Sequence, residues 1–450
     1  MTIASPVRFP DTSSRTTMTR RAWWLVGLNI LLPGSAQLLA GNRKLGRFGV
    51  VSTFALWIIA ILTLVFFLFA RPVLYTLFTN VVALTVIQVV IVFYVVLWIA
   101  LTVDTLRLAR LIKVAPGARP LVAALAVIVL VGVSSTANYG VVVTGATRDA
   151  INQIFTSGQA AEAVDGRYNI LLLGGDAGPD RLGLRPDSIS VVSIEAATGK
   201  ATMIGIPRNL EQAPFVEGSP LYGPFPDGYD CGDNCLISYL YTYGIDHPDL
   251  YPDAAINGSN SGIEAMRDAV EGVLGMKLQY YVLIDMQGFS DLIDSLGGVQ
   301  IESTGRYPIG GGEDRNSQPI NVEGWIEPGM QHMDGYTALW YARARHGTSD
   351  YDRMARQRQV QEAILAQFGP ANVLGKFQAV AQAGAQVVTT DVPSAALPYF
   401  VDLAEKTRAL PIEKLELVPA NGVDVVRPDF DEIRTMVDTA LAPTESTPAP

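Results

Sequence analysis

Arginine falls in unusual places in this 450-residue chain. Where apolar runs give way to glycine-rich turns the sequence carries Asp176, Arg181, Arg185 and Asp187, and Arg208 follows Ile206-Pro207. Far downstream come Arg343, Arg345, Asp350, Arg353, Arg356, Gln357 and Arg358. A guanidinium is a planar fork that stays charged and donates two parallel hydrogen bonds, which suits phosphate oxygens. Carboxylates at strand ends suit a hard divalent cation such as magnesium, which takes one or two protein carboxylates and completes its shell with phosphate oxygens. The set therefore reads as a metal-assisted diphosphate site. A network of surface ion pairs fits the same residue types, and spacing alone does not show that the segments converge.

Other phosphate and acyl chemistries lack their residues. The glycines of 173–178 follow an apolar run, but no Gly-Lys-Ser/Thr triplet comes after them, and Gly199-Lys200 is followed by Ala201, so a P-loop is unsupported. Histidine occurs only at 247, 332 and 346 and there is no Gly-x-Ser-x-Gly elbow, which disfavours a serine hydrolase.

The elements that would position these residues are legible as periodicity. Apolar runs at 169–173, 188–194 and 201–206 read as three buried strands in quick succession, with further strands at 280–284, 299–301 and 415–418. Helical spacing marks 263–274, 289–296, 338–341, 350–368, 373–388, 395–403 and 429–441. Strands and helices mixed in this way predict an α/β fold, an αβα sandwich around a central sheet. Asp350, Arg353 and Gln357, at steps of three and four, share a helix face. Arg343 and Arg345 point the same way if the chain there is extended.

Ahead of this domain the composition changes. Residues 1–145 carry 12 Lys and Arg against 2 Asp and Glu, a net of +10, which leaves −20 for residues 146–450 of a chain whose net is −10. Nearly uncharged runs at 48–70, 76–100 and 121–143 each suffice, at roughly 20 residues, to cross a bilayer as a helix. The run at 22–40 is broken by Pro33-Gly34 and reads as a surface or re-entrant hairpin, so three crossings are expected. Arg8, Arg15, Arg20, Arg21, Arg43, Lys44 and Arg47 then share one side with Arg107, Arg110, Lys113 and Arg119, which the positive-inside rule makes cytoplasmic. The expected organisation is a basic cytoplasmic N-terminus at 1–21, a transmembrane region at 22–145, a linker at 146–167, an extracytoplasmic domain at 168–441 and a disordered tail at 442–450. The chain is a multi-pass membrane protein in this reading, with membrane lipid as a partner and no nucleic acid.

Cys231 and Cys235 lie in Asp-Cys-Gly-Asp-Asn-Cys. In an exported domain such a pair reads as a disulfide closing a small loop. Zinc would need two more ligands. Asp227, Asp230 and Asp233 could bind calcium, though a solvated loop is the plainer reading.

Several blocks together resemble the LytR-CpsA-Psr family of cell-wall glycopolymer ligases. Leu171-Leu172-Leu173-Gly174-Gly175-Asp176, Arg185-Pro186-Asp187 and Ile206-Pro207-Arg208 look like its opening motifs. Phe289, Asp294 and Leu296-Gly297-Gly298-Val299 follow, then Met333-Asp334-Gly335 with Ala338-Leu339, Tyr341-Ala342-Arg343-Ala344-Arg345, Asp350, Arg353 and Arg356-Gln357, in the family order from about 168 to 361. The resemblance implies that Asp176 and Asp187 hold magnesium, or manganese in its place. It implies that Arg185, Arg208, Arg343, Arg345, Arg353 and Gln357 grip the pyrophosphate, with Arg208, Arg343, Arg345 and Asp350 the catalytic set. The implied reaction moves a glycosyl phosphate from a polyprenyl-pyrophosphate-linked glycopolymer to a peptidoglycan hydroxyl, the lipid tail lying in an apolar tunnel.

The chain departs from the family pattern at Asn209, where Asp is usual, at Asp352, where Gly is common, and at Arg358, where a second Gln is common. Its anchor is also longer than the single helix typical of the family. Two other readings share these residues: a polyprenyl-pyrophosphate phosphatase, and a non-catalytic lipid-phosphate sensor that attenuates transcription.

Overall fold

The computed structural model describes residues 7–176, 185–232, 234–314, 318–344, 348–367 and 388–442. The side chain of Asp176, all of Arg181, Asp233 and Arg345, nearly all of the expected helix at 373–388, and the tail from 443 onward lie outside the described residues. The chain divides into two compact units, residues 1–148 and 149–450.

In the first unit, Ser14 caps α1 (Arg15–Leu31) by accepting from the Thr17 amide, and the interruption at Pro33-Gly34 becomes a turn into the short α2 (Ser35–Ala40). Asn42 caps α3 (Arg43–Phe69). The second apolar run starts later than its composition suggests, because Arg71 to Thr79 form their own helix, α4 (Arg71–Thr79). Asn80 then caps α5 (Val81–Ala109), and α6 (Ala118–Ile154) follows. Helices α3, α5 with its continuation to Lys113, and α6 are each long and apolar enough to cross a membrane. Helix α6 runs on through Ile154, into the stretch read as linker. Several polar groups of α1 and α2 donate to a neighbouring helix: Arg21 Nη1 to Leu108 O at 2.7 Å, and Gln37 Nε2 to Leu101 O at 2.8 Å and Thr105 Oγ1 at 3.0 Å. An unpaired polar group among apolar helices would cost several kcal/mol, so these bonds let the hairpin pack there.

The second unit opens with β1 (Arg167–Asp176), β2 (Arg185–Glu195) and β3 (Ala201–Ile206), all three where the apolar runs place them. After the short helix α7 (Leu240–Asp246), Asn260 caps α8 (Ser261–Leu274), which leads to β4 (Tyr280–Asp285). Asp285 caps α9 (Met286–Leu296), and β5 (Val299–Ser303) comes next. Small strands that the sequence does not announce follow: β6 (Tyr307–Ile309), β7 (Gly312–Glu313), β8 (Pro319–Ile320), β9 (Gly324–Ile326) and β10 (Gly329–Met333). Asp334 caps α10 (Gly335–Arg343), and α11 (Asp350–Gln367) lies beyond. The described chain closes with β11 (Val388–Thr390), α12 (Leu397–Arg408), β12 (Glu413–Glu416) and α13 (Phe430–Leu441).

Six of these strands form one mixed sheet in the order β11-β4-β1-β2-β3-β12. Alternation divides its faces. The rungs Leu171↔Val191, Val191↔Ile204 and Leu171↔Tyr281 set one apolar face, which is buried with Met266, Val270 and Val273 of α8 and Ile433 and Val437 of α13. On the other face Tyr168, Ile170 and Tyr280 meet Phe400 of α12, while Ser188, Ser190 and Gly205 keep the middle strands low. Helix α11 comes down there: a Cβ on Gly205 would stand 2.5 Å from Arg358 Nη2 and 1.9 Å from Glu416 Oε2. Helices on both faces make the αβα sandwich expected.

Candidate functional site

The end of β2 is irregular. Its ladder with β1 runs Leu173↔Ile189 and Gly174↔Ser188, then shifts to Gly175↔Pro186 and Asp176↔Arg185, so Asp187 is the extra residue of a β-bulge. Bulges re-aim side chains and recur beside active sites. Asp187 is only 7% exposed, and its Oδ1 accepts from Arg208 Nη1 at 2.5 Å. The pairing follows from register. The last rung between β2 and β3 is Ile189↔Ile206, and Asp187 and Arg208 each lie two residues beyond it.

Arg208 has a second carboxylate. Its Nε lies 3.5 Å from Asp350 Oδ2, and Asp350 Oδ1 lies 3.5 Å from Arg353 Nη2. Asp350 is the first residue of α11, where a negative charge also suits the helix dipole. Four of the expected site residues, from β2, the loop after β3 and the first turn of α11, thus form one chain of charge: Asp187, Arg208, Asp350, Arg353. Burial pulls the Arg208 guanidinium down, but Asp187 and then Asp350 more than offset it and hold it above its ordinary value.

Arg185 opens β2, and its guanidinium carbon lies 4.8 Å from the centre of the Tyr239 ring, a cation–π contact. Asp176 ends β1 opposite Arg185, so the backbones of both candidate metal residues, Asp176 and Asp187, lie at the same end of neighbouring strands.

Arg343 differs from expectation. It is the last residue of α10, not part of an extended segment, so its side chain follows helical rather than alternating geometry. The family-like motifs before it are what place this helix. Asp334 accepts from the Thr337 amide at 2.8 Å as its N-cap, and Asp294 of α9 accepts from the Gly335 amide at 2.7 Å. Gly335 is required for this approach, because a Cβ there would meet Ser290 O at 2.0 Å.

Gln357 is buried in α11, and its amide nitrogen reaches Ala342 O at 3.5 Å, at the limit of a hydrogen bond, while its Oε1 finds no donor among the described residues. Asn209 Oδ1 is also buried without a donor among them. Two residues without an assigned role in the sequence, Arg356 and Tyr239, help to build the site. Arg356 is buried, donates to Tyr341 O at 3.0 Å and to Ala344 O, and so satisfies carbonyls that the end of α10 leaves open. Its spacing of three from Arg353 was the available signal. Tyr239 carries no such signal, since an aromatic residue among other tyrosines has no charge or spacing to mark it. Arg358 is fully buried and donates to Glu416 Oε1 at 3.2 Å and Ile189 O at 3.3 Å, which makes it a strut between α11 and the sheet.

Cys231 and Cys235 form the expected disulfide. Just after it, the Ile237 and Ser238 amides donate to Leu210 O at 2.9 Å and Arg208 O at 3.2 Å.

A mixed α/β domain with an arginine–carboxylate chain at a bulged strand, in a chain that also carries three helices long and apolar enough to cross a membrane, defines the class. The chain belongs to the LytR-CpsA-Psr (LytR_cpsA_psr) family, whose model matches residues 135–437. It is 27% identical over 229 residues to the polyisoprenyl-teichoic acid–peptidoglycan teichoic acid transferase TagU of Halalkalibacterium halodurans, covering 50% of this chain and 61% of that one. It is 25% identical over 277 residues to TagV of Bacillus subtilis, also named a polyisoprenyl-teichoic acid–peptidoglycan teichoic acid transferase, covering 60% and 62%. The chain spans about three fifths of the length of these relatives. The crystal structure of B. subtilis TagV aligns with a TM-score of 0.44 at 21% identity, covering 61% of this chain and 97% of that one.

Proposed function

We propose that this protein is a phosphotransferase that moves a glycosyl phosphate from a polyprenyl-pyrophosphate carrier to a peptidoglycan hydroxyl, on the outer face of the membrane. The observation that carries the reading is the joining of Asp187, Arg208, Asp350 and Arg353 from separated stretches of chain into one connected set, buried at Asp187 and Arg353 and half-buried at Arg208 and Asp350. Solvated ion pairs would not gather Asp187 and Arg353, which are 7% and 2% exposed. Relatives named as polyisoprenyl-linked teichoic acid–peptidoglycan transferases support the carrier and the acceptor. The basic charge of residues 1–145 supports the orientation.

In this reading the arginines bind and orient the diphosphate. The acceptor oxygen attacks the phosphorus that bears the sugar, the bond to the bridging oxygen breaks, polyprenyl phosphate leaves, and the hydroxyl proton passes to solvent. Asp187 and Asp350 hold Arg208 from two sides, so its position is set before substrate arrives, and fixed donors lower the barrier most where charge develops on the bridging oxygen. Arg356 and Gln357 fix the end of α10 and with it Arg343. Asp176 and Asp187, whose backbones lie at the same end of adjacent strands, would hold magnesium, two carboxylates leaving the rest of the shell to phosphate oxygens and water. When bound, the ion would neutralise charge on the diphosphate.

Mass spectrometry of the purified full chain tests the lipid half of this reading. Co-purifying polyprenyl phosphate or pyrophosphate is the expected result. Repeated absence of lipid, with no divalent-dependent cleavage of polyprenyl pyrophosphate, would contradict it.

A further inference from the structure

We infer that Tyr239 is a positioning residue that aims Arg185 at the diphosphate by holding its guanidinium against an aromatic ring. This deepens the proposed function and rests on the reading of Arg185 as a phosphate ligand.

Arg208 and Arg353 are held by carboxylates, whose negative charge partly neutralises them. The partner that the described residues give Arg185 is different in kind: the Tyr239 ring, 4.8 Å from its guanidinium carbon. A ring engages the guanidinium through its face, so it neither takes up the N–H edge nor cancels the charge. An arginine held in this way has a fixed direction and keeps its full set of in-plane donors for a phosphate.

The ring is itself well anchored. Tyr239 ends a 3-10 turn whose other residues, Ile237 and Ser238, are buried. The amides of those two residues hydrogen-bond to Leu210 O and Arg208 O, so the turn that carries the ring is tied to the backbone that carries the neighbouring site arginine. On the N-terminal side the Cys231–Cys235 disulfide closes the preceding loop, and the Cys235 amide donates to Gly232 O at 2.8 Å. Leu240, the next residue, is fully buried in the core. Anchored on both sides, the turn fixes Arg185 relative to Arg208 although the two come from different strands.

The test is a double-mutant cycle on the full chain in detergent, reading the affinity for inorganic pyrophosphate by calorimetry, with melting temperature as a control for folding. Y239L should weaken binding by about threefold to thirtyfold, the span of a cation–π contact. Y239F, which keeps the ring, should bind as the wild type does. In an R185A background Y239L should cause no further loss, because its effect runs through that guanidinium. Tyr239→Met repeats the test should Y239L not fold. Unchanged affinity in Y239L, or losses that add in the double mutant, would overturn the inference and leave the proposed function standing. A wild type that binds no pyrophosphate would remove the proposed function, and this inference with it.

Discussion

Arg208 and Asp187 meet at 2.5 Å across the two strands that bracket the site, one residue just past the end of β3 and the other on the bulge of β2. The contact is charge-assisted and largely shielded, and it holds the guanidinium above its ordinary value. Arg208→Ala should therefore lower kcat by about 100-fold to 1,000-fold, the cost of removing one fixed donor from a developing charge. Asp187→Asn keeps the shape but removes a charge-assisted bond. It should destabilise the domain by about 1.5–3 kcal/mol in a denaturant titration. Full activity in Arg208→Ala would remove this residue from the chemistry.

The strut between α11 and the sheet gives a stability test away from the site. Arg358 is fully buried, and burial pulls its guanidinium below its ordinary value while Glu416 works against that. Glu416→Ala would leave a buried charge without its carboxylate and should cost about 3–5 kcal/mol. Adding Arg358→Met should recover most of the loss. A double variant no better than the single one would show that the pair does not act as a unit.

Alkaline stability should report on Tyr229. Burial first, then Tyr243 and Tyr239, push its phenol from 10.0 up to about 12. Because the folded value is raised, the contribution to stability is complete below pH 10 and is lost as the pH climbs through about 12. Burial raises other phenols too, those of Tyr251 and Tyr281 most, so phenolate absorbance should show several late-titrating tyrosines, one fewer in Tyr229→Phe. A Tyr229 phenol that ionises with the exposed tyrosines would contradict the burial argument.

The Cys231–Cys235 link closes a short loop, so its effect on the unfolded chain is small for a disulfide. Loop-closure entropy puts it at about 2 kcal/mol. Replacing both cysteines with serine should lower the denaturant midpoint accordingly, and pyrophosphate affinity should fall as Tyr239 loses its anchor.

Much of this was written in local pattern. Strands β1 and β3 are short apolar runs and β2 is rich in branched residues, a local signal that does not depend on distant partners. The charged residues were legible by type, and Asp350 and Arg353 by helical step. Convergence was not legible, since Arg208 reaches Asp350 only through the packing of α11 on a face kept low by Ser190 and Gly205. The bulge had a signal in Pro186, which cannot donate to a ladder and tolerates a strand mainly at an edge or a bulge. The two-residue spacing of Arg343 and Arg345 would put them on one side only in extended chain, and the helix that Asp334 caps runs as far as Arg343, while Arg345 lies outside the described residues. Strands β6 to β9 are two or three residues long, too short for alternation to register.

The most direct measurement follows both products in one reaction: purified full chain in membranes, a polyprenyl-pyrophosphate-linked glycan, magnesium, and peptidoglycan fragments as acceptor. Release of polyprenyl phosphate matched by glycan phosphate on the peptidoglycan, requiring the acceptor and lost in Arg208→Ala, is the expected result. Equal release of polyprenyl phosphate without acceptor, with no glycan on peptidoglycan, would make the protein a phosphatase, and no cleavage under any of these conditions would contradict catalysis altogether.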